Sequence, residues 1–295
     1  MKVVITGARG KVGRAATQAL LDAGHDVLAT DLTRPVFDAE PAGSARYQMA
    51  DLTDAGDAFA VIRGAEVVVH AAAIPDPLHN PPHVVFGNNV MATFNALEAA
   101  IRFGASRFVY ISSETVPGFN FPERAVLPQY APVDEAHPAH PQDPYALSKY
   151  FGEQLMTAAV ERSDIRCISL RPSWVQNEQS YEQNLGSLVR GSAGPSGNLW
   201  SYVDVFDLAD AIVLASESSL PGHEVFYIAA ADNIGSRNFE EILHQNYGSQ
   251  IELRAIARPD ASGISCEKAQ RLLGWTPRRS WKDYLDAEGR SISRD

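Results

Sequence analysis

Residues 1–31 restrict the fold more than any other stretch. Lys2–Thr6 is a short β-branched run, and Gly7-Ala8-Arg9-Gly10-Lys11-Val12-Gly13 follows it at once. Ala15, Ala16, Ala19 and Leu20 then recur at helical spacing up to a stop at Gly24. A second apolar run, Val27–Thr30, ends in Asp31. Strand, glycine turn, helix, strand and acid in this order make a dinucleotide-binding βαβ unit. The glycines permit a tight turn, let backbone N–H groups approach a pyrophosphate, and allow close helix–strand packing. The helix N-terminus adds the positive end of its dipole beneath the phosphates. Asp31 stands 18 residues after Gly13, where a carboxylate accepts hydrogen bonds from adenosine ribose hydroxyls.

The alternation continues to about residue 170. Tyr47–Met49 leads into Asp51-Leu52, Val67–His70 runs into Ala71-Ala72-Ala73, and Phe108–Ile111 ends in Ser112-Ser113. Ile165–Leu170 is a further strand, and helices are predicted near Asp57–Ile62, His83–Phe103 and Pro144–Glu161. Strands that are apolar throughout and separated by helices predict a parallel sheet covered on both faces, a doubly wound, Rossmann-like α/β fold. Ligands then lie at the carboxyl ends of strands, where Gly7, Asp31, Ala71 and Ser113 fall. After Arg171 the rhythm breaks. Helices are predicted over Glu182–Arg190, from Tyr202-Val203-Asp204 to about Ala215, and over Ser236–Gln245, Cys266–Leu273 and Trp281–Glu288, with a strand at Glu224–Ile228. Residues 1–171, rejoined by 201–230, are expected to form the dinucleotide-binding domain. Residues 172–200 and 231–295 are expected to form a small C-terminal substrate-binding lobe.

A chain of 295 residues buries a full core in one or two domains. Its net charge of −11 argues against a nucleic-acid partner, which needs basic patches. No apolar run approaches the roughly 20 residues of a membrane span, and the N-terminus enters a strand without a signal region. Cys167 and Cys266 show neither metal spacing nor a disulfide framework. A cytoplasmic protein acting on a small molecule is the expectation, with no nucleic-acid or membrane partner. His137-Pro138-Ala139-His140 reads as loop histidines, because prolines break the helical geometry that aligns two rings on a metal, and no metal site is expected. Trp174 and Trp200 are open between pocket and lobe core, and Arg171 and Arg190 between substrate contacts and surface ion pairs.

The reactive residues sit further along. Asp143 suits a helix N-cap and Pro144 the first helical position, so Tyr145 and Lys149, four apart, share one face. An ammonium beside a phenol stabilises the phenolate, lowering the tyrosine pKa toward the working pH. Such a tyrosine exchanges a proton with an oxygen on the carbon that exchanges hydride. Only one of the ten tyrosines has a lysine at this offset, in a chain with five lysines, and it follows a strand ending in Ser112-Ser113.

These residues give the chain its resemblance. Thr6-Gly7-x-x-Gly10-x-x-Gly13 resembles the glycine signature of the short-chain dehydrogenase/reductase superfamily. Tyr145-x-x-x-Lys149 with Ser113 resembles the Ser–Tyr–Lys triad of its extended branch, the NAD-dependent epimerase/dehydratase family. Tyr110–Gly118 is similar to the family's SSxxVYG stretch, Asn89-Val90-x-x-Thr93 to its NvxGT helix, and Tyr202–Asp207 and Leu273–Pro277 to late motifs. The resemblance implies that Tyr145 is the acid/base, that Ser113 polarises the substrate oxygen, and that Lys149 tunes Tyr145 and holds the nicotinamide ribose. It implies cofactor contacts from Gly7, Arg9, Gly10, Lys11, Val12, Asp31, Asp51, Leu52, Ala71, Ala72, Ala73 and Asn89, besides Tyr145 and Lys149. Homodimers through the helices carrying Ala92–Ala100 and Ala146–Ala159 are implied on the same ground.

The departures from the family pattern narrow the chemistry. Glu114-Thr115 lacks the second acid of the dehydratases, Pro117 replaces a tyrosine, and Trp200 stands where nucleotide-sugar enzymes carry an arginine for the diphosphate. The expected activity is NAD-dependent hydride transfer at a secondary alcohol or ketone carbon of a small sugar, sugar acid or related hydroxy/keto compound. A nucleotide-sugar epimerase using the same triad is the alternative, and a non-catalytic dinucleotide-sensing protein is the alternative of another class. Asp31 favours NAD over NADP by repelling a 2′-phosphate, while Arg9 and Arg34 pull the other way.

Overall fold

Strand β1 (Lys2–Thr6) buries both of its faces, Val3 and Ile5 to one side and Val4 to the other. This computed structural model describes residues 1–33, 45–191 and 193–292. From β1 the chain passes through α1 (Lys11–Asp22), β2 (Asp26–Asp31), β3 (Arg46–Met49), α2 (Ala55–Ile62), β4 (Val67–His70), α3 (Pro82–Arg102) and β5 (Arg107–Ile111). It continues through β6 (Tyr130–Ala131), α4 (Pro144–Arg162), β7 (Arg166–Pro172), β8 (Val175–Gln176), α5 (Glu178–Arg190), β9 (Val203–Asp204) and α6 (Val205–Glu217). The last elements are β10 (His223–Ile228), α7 (Phe239–Tyr247), β11 (Glu252–Leu253), α8 (Glu267–Leu273) and a 3₁₀ turn at Trp281–Asp283.

Seven parallel strands form the main sheet in the order β3-β2-β1-β4-β5-β7-β10. Val69, Val109 and Ile168 extend the layer begun by Val3 and Ile5, which α1 and α6 cover through residues such as Ala16 and Ile212. Val68, Phe108 and Cys167 extend the Val4 layer, covered by Val61 of α2, Ala96 of α3 and Met156 of α4. Each such fully buried aliphatic contributes on the order of 1.5–3 kcal/mol, which is why these strands read as unbroken apolar runs. The strand order reverses between β1 and β4, and a crevice opens there at the carboxyl ends.

A third apolar cluster lies beyond the sheet, joining Phe119, Tyr181, Trp200, Tyr202, Phe239 and Trp281. The short pairs β8–β9 and β6–β11 brace it. Ala269 and Trp275 instead pack with the α6 layer of the main sheet, where the Trp275 indole N–H donates to Asp207 O.

Three helices differ from their sequence patterns, α7 starting at Phe239 rather than Ser236 because Asn238 caps it. α5 begins at Glu178, four residues before the predicted start, because Asn177 and Ser180 cap each other reciprocally. The helix predicted over Trp281–Glu288 is one 3₁₀ turn. Gly289, at φ +66°, folds the chain back so that Ser291 bridges to Leu285 and Ile292 N donates to Tyr284 O. Among the described residues no helix is long and apolar enough to cross a membrane.

Candidate active site

A cavity of about 1100 Å³ follows the crevice from Asp31 to Tyr145. At its near end Gly7 takes φ +65°, and a side chain there would lie 2.7 Å from Ala72 Cα. A Cβ on Gly13 would lie 2.1 Å from Gly7 O, so α1 starts hard against the turn only because that side chain is absent. No side chain caps the N-terminus of α1, which holds no acidic residue in its first turn. Its leading N–H groups and positive dipole end therefore remain for an anion. Asp31 accepts Arg9 N at 2.9 Å and Leu32 N at 2.8 Å, leaving lone pairs on both oxygens for a diol. Asp51, Leu52 and Ala71–Ala73 complete this end. Uncapped amides, a carboxylate beyond them and a cradle that a Cβ would fill suit a dinucleotide.

At the far end the Tyr145 phenol lies within hydrogen-bond reach of Ser113. Asp143 caps α4 by accepting Tyr145 N and Ala146 N, both at 2.9 Å, which fixes the first turn carrying the tyrosine. One turn on, Lys149 is buried with Nζ donating to Ile111 O at 2.7 Å and lying 5.5 Å from the Tyr145 ring centre. Burial pulls the lysine down to about 7, opposed by the Glu153 carboxylate. Tyr145 departs from the sequence expectation. Burial, followed by Asp143, Glu114 and Asp76, pushes its phenol up to about 12, against a downward pull from Ser113. Lys149, drawn toward neutrality by its own burial and 5.5 Å from the ring centre, does not offset them.

The two serines diverge. Ser113 Oγ accepts Thr115 N at 3.1 Å and Thr115 Oγ1 at 3.0 Å beside the cavity. Ser112 Oγ instead donates to Glu153 Oε1 at 2.6 Å, and Glu153 is clamped by both Arg171 Nε and Nη2. Arg171 is therefore a buried structural partner, not a substrate contact. Arg190 donates to the Glu288 carbonyl at 3.0 Å. Beneath the site, His70 is held between Thr6 Oγ1 and Thr93 Oγ1, and burial takes it down to about 3, which keeps it neutral.

Of the residues proposed from sequence, Gly7, Arg9, Gly10, Lys11, Val12, Asp31, Asp51, Leu52, Ala71, Ala72, Ala73, Ser113, Tyr145 and Lys149 line this one cavity. Asn89 does not. Its amide accepts Ile74 N at 2.8 Å and donates to Ile74 O and Ser148 Oγ, tying the loop after β4 to α4, while its neighbour Asn88 lines the cavity. Trp174 lines the cavity, whereas Trp200 packs against Phe239 and Tyr247 in the lobe core. His137 is a loop residue whose ring accepts Gln129 N and packs on Phe119. Arg34 falls outside the described residues. Asp76, Asn120, Phe121 and Asn198 also line the substrate end. They lie in loops without periodicity, and no sequence pattern marks which loop residues turn inward.

A doubly wound parallel sheet with a glycine-turn cradle, and Ser113, Tyr145 and Lys149 converging beyond it, defines the extended short-chain dehydrogenase/reductase class. Residues 3–229 match the model of the NAD dependent epimerase/dehydratase family, and the chain belongs to that family. It is 28% identical to a UDP-glucose 4-epimerase of Corynebacterium glutamicum over 94% of this chain and 91% of the relative. It is 27% identical to a uronate dehydrogenase of Pseudomonas syringae pv. tomato, over 58% of each chain. A short-chain dehydrogenase/reductase superfamily protein from Agrobacterium tumefaciens, solved with bound NAD, shares the fold with a TM-score of 0.73 and 22% identity, covering 96% of this chain and 94% of that one. The chain is thus an NAD(P)-dependent dehydrogenase or epimerase of the extended short-chain type.

Proposed function

We propose that the protein is an NAD-dependent oxidoreductase that moves hydride at a secondary alcohol or ketone carbon of a small sugar, sugar acid or related hydroxy/keto compound. The observation that carries this reading is the single cavity leading from the Asp31 carboxylate and glycine turn to the paired Ser113 and Tyr145. Residues 1–171 with 201–230 would form the cofactor domain and 172–200 with 231–295 the lobe, of which the 172–200 segment supplies the cavity lining and Ala269 and Trp275 pack back on the main sheet. When bound, NAD in its oxidised form would supply the hydride acceptor. Ser113 donates a hydrogen bond to the substrate oxygen, and Tyr145 takes the hydroxyl proton or returns it to the carbonyl oxygen. Lys149 has donors beyond its bond to Ile111 O, and these would hold the nicotinamide ribose and support the Tyr145 phenolate.

Similarity to UDP-glucose 4-epimerases over most of the chain favours a second reading, in which the same triad returns the hydride to the opposite face. Against it stands Trp200, a core residue at the position where nucleotide-sugar enzymes carry an arginine. A screen of sugars, sugar acids and hydroxy acids for reduced-cofactor absorbance separates the two. Net NADH formation that Tyr145→Phe abolishes supports the oxidoreductase. Interconversion of UDP-sugars with no net NADH, at higher efficiency than any oxidation, overturns it.

The protein is also proposed to be a homodimer. Val84, Met91 and Phe94 of α3 and Phe151 of α4 are exposed apolar side chains on two helices packed against each other. An apolar face of this kind calls for a cover, and a two-fold copy of itself supplies one.

A further inference from the structure

The cavity has cations at one end and, among the described residues, a different lining at the other. Arg9, Lys11 and Lys149 are the arginines and lysines that line it. Arg9 reaches Thr33 Oγ1 beyond β2, at the adenosine end. Lys11 is held by Val175 O at 2.9 Å and Ser180 Oγ at 3.4 Å, beside the turn that receives the pyrophosphate. Lys149 lies beneath the Tyr145 ring on Ile111 O. Each is committed to the cofactor end or to the triad.

Beyond Lys149, the lining toward Ser113 and Tyr145 includes Asp76, Glu114, Asn120, Asn198 and the rings of Phe121 and Trp174. Burial alone would raise the Asp76 carboxyl, but Leu78 N and the His79 ring hold it below its ordinary value, so it is an anion at neutral pH. Glu114 is buried under Ser173 Oγ, Trp174 N and the amides of Asn198 and Asn120. Its desolvation exceeds what those donors return and raises it to about 8. Asn120 Oδ1 is buried without a hydrogen-bond partner. Carboxyls and amides match the donors and acceptors of hydroxyl groups, and aromatic faces match the C–H faces of a sugar ring. A carboxylate or diphosphate brought here meets Asp76, whose His79 partner is already engaged, and among the described lining residues of this end finds no arginine and no lysine but Lys149.

We infer that the substrate end is built for a neutral polyhydroxy compound, a free sugar, polyol or sugar lactone, and selects against uronates and nucleotide diphosphate sugars. This rests on the oxidoreductase reading and narrows its substrate class. It also separates this chain from what its relatives' names describe, a UDP-sugar and a uronate.

The test loads the protein with NAD and adds matched pairs of one carbon skeleton, glucose with glucuronate and galactose with galacturonate, together with xylose and UDP-glucose. Binding is read as the Tm shift of the NAD complex and turnover as reduced-cofactor absorbance. Neutral members should bind, or turn over, at least about tenfold better than their acids. Asp76→Lys, a change on a partly exposed loop, should shift the preference toward the acids by a similar factor, while Asp76→Asn should leave the neutral preference in place. A uronate or UDP-glucose preferred by the wild type, or no response to any neutral member, overturns the inference. Turnover of a uronate with NAD in preference to its neutral partner would leave the oxidoreductase reading standing while this inference falls. Binding of neutral sugars without net NADH would do the reverse.

Discussion

At the scale of single residues, Tyr145 and Lys149 divide the work. Tyr145→Phe keeps the ring and removes the proton, and should lower kcat by roughly 10²–10⁴, about 3–5 kcal/mol of barrier, with NAD affinity unchanged. Lys149→Met should cost as much and weaken NAD binding too. Turnover and NAD titration measured side by side check the pair, and near-normal turnover by Tyr145→Phe removes the tyrosine from the mechanism. Ser112 offers no replacement for Ser113, because its hydroxyl is committed to Glu153. Ser113→Ala should therefore lose most activity, more than adjacency of two serines in sequence suggests. Glu114 titrates on its own account. Its folded value of about 8 lies above its ordinary 4.5, so between those values the native state holds a proton that the unfolded chain has released. Native stability then falls as pH rises through that window and levels off above 8. Glu114→Gln removes the titration and should gain on the wild type by on the order of 1–3 kcal/mol between pH 5 and 8. Parallel denaturant curves for the two proteins would refute this assignment.

Whole elements carry the cofactor choice and the limits of pattern reading. The β1–α1–β2 unit places Asp31 at a strand end, facing the same cavity as the uncapped start of α1. Asp31→Ala should shift the ratio of NAD to NADP efficiency toward NADP by about tenfold, since a 2′-phosphate would no longer meet a carboxylate. Comparable kcat/KM for both cofactors in the wild type would defeat the underlying preference for NAD. Strand existence followed from unbroken apolar runs such as Val67–His70, and that of the Pro144–Arg162 helix from the Asp143 cap and Pro144. Helix ends did not. The start of α5 depends on the reciprocal Asn177–Ser180 cap, and the loss of the helix after Trp281 depends on Gly289 in a left-handed conformation. Such signals are one residue wide and carry no period.

For the molecule as a whole, assembly is the testable property. Met91→Glu combined with Phe151→Glu puts charges into the exposed α3–α4 face, and light scattering should show the wild type as a dimer and the double variant as a monomer. A wild type that is monomeric at micromolar concentration would end the proposal. The core should survive the change, since both side chains lie at the surface.

The sequence by itself determined the layered parallel sheet, the glycine turn, Asp31, and the strand-end and helix positions of Ser113, Tyr145 and Lys149. These depend on local rules: a period of 2 or 3.6, a glycine where a Cβ would clash, a four-residue offset on one helix face. Tertiary structure decided what depends on where separate loops meet. It turned Ser112 toward Glu153 and Arg171, moved Asn89 from the cofactor to the loop after β4, and sent Trp200 into the lobe core and Trp174 into the cavity. It also set the ionisation of Tyr145 and Glu114, because desolvation is a property of the surrounding fold and no spacing in a chain encodes it.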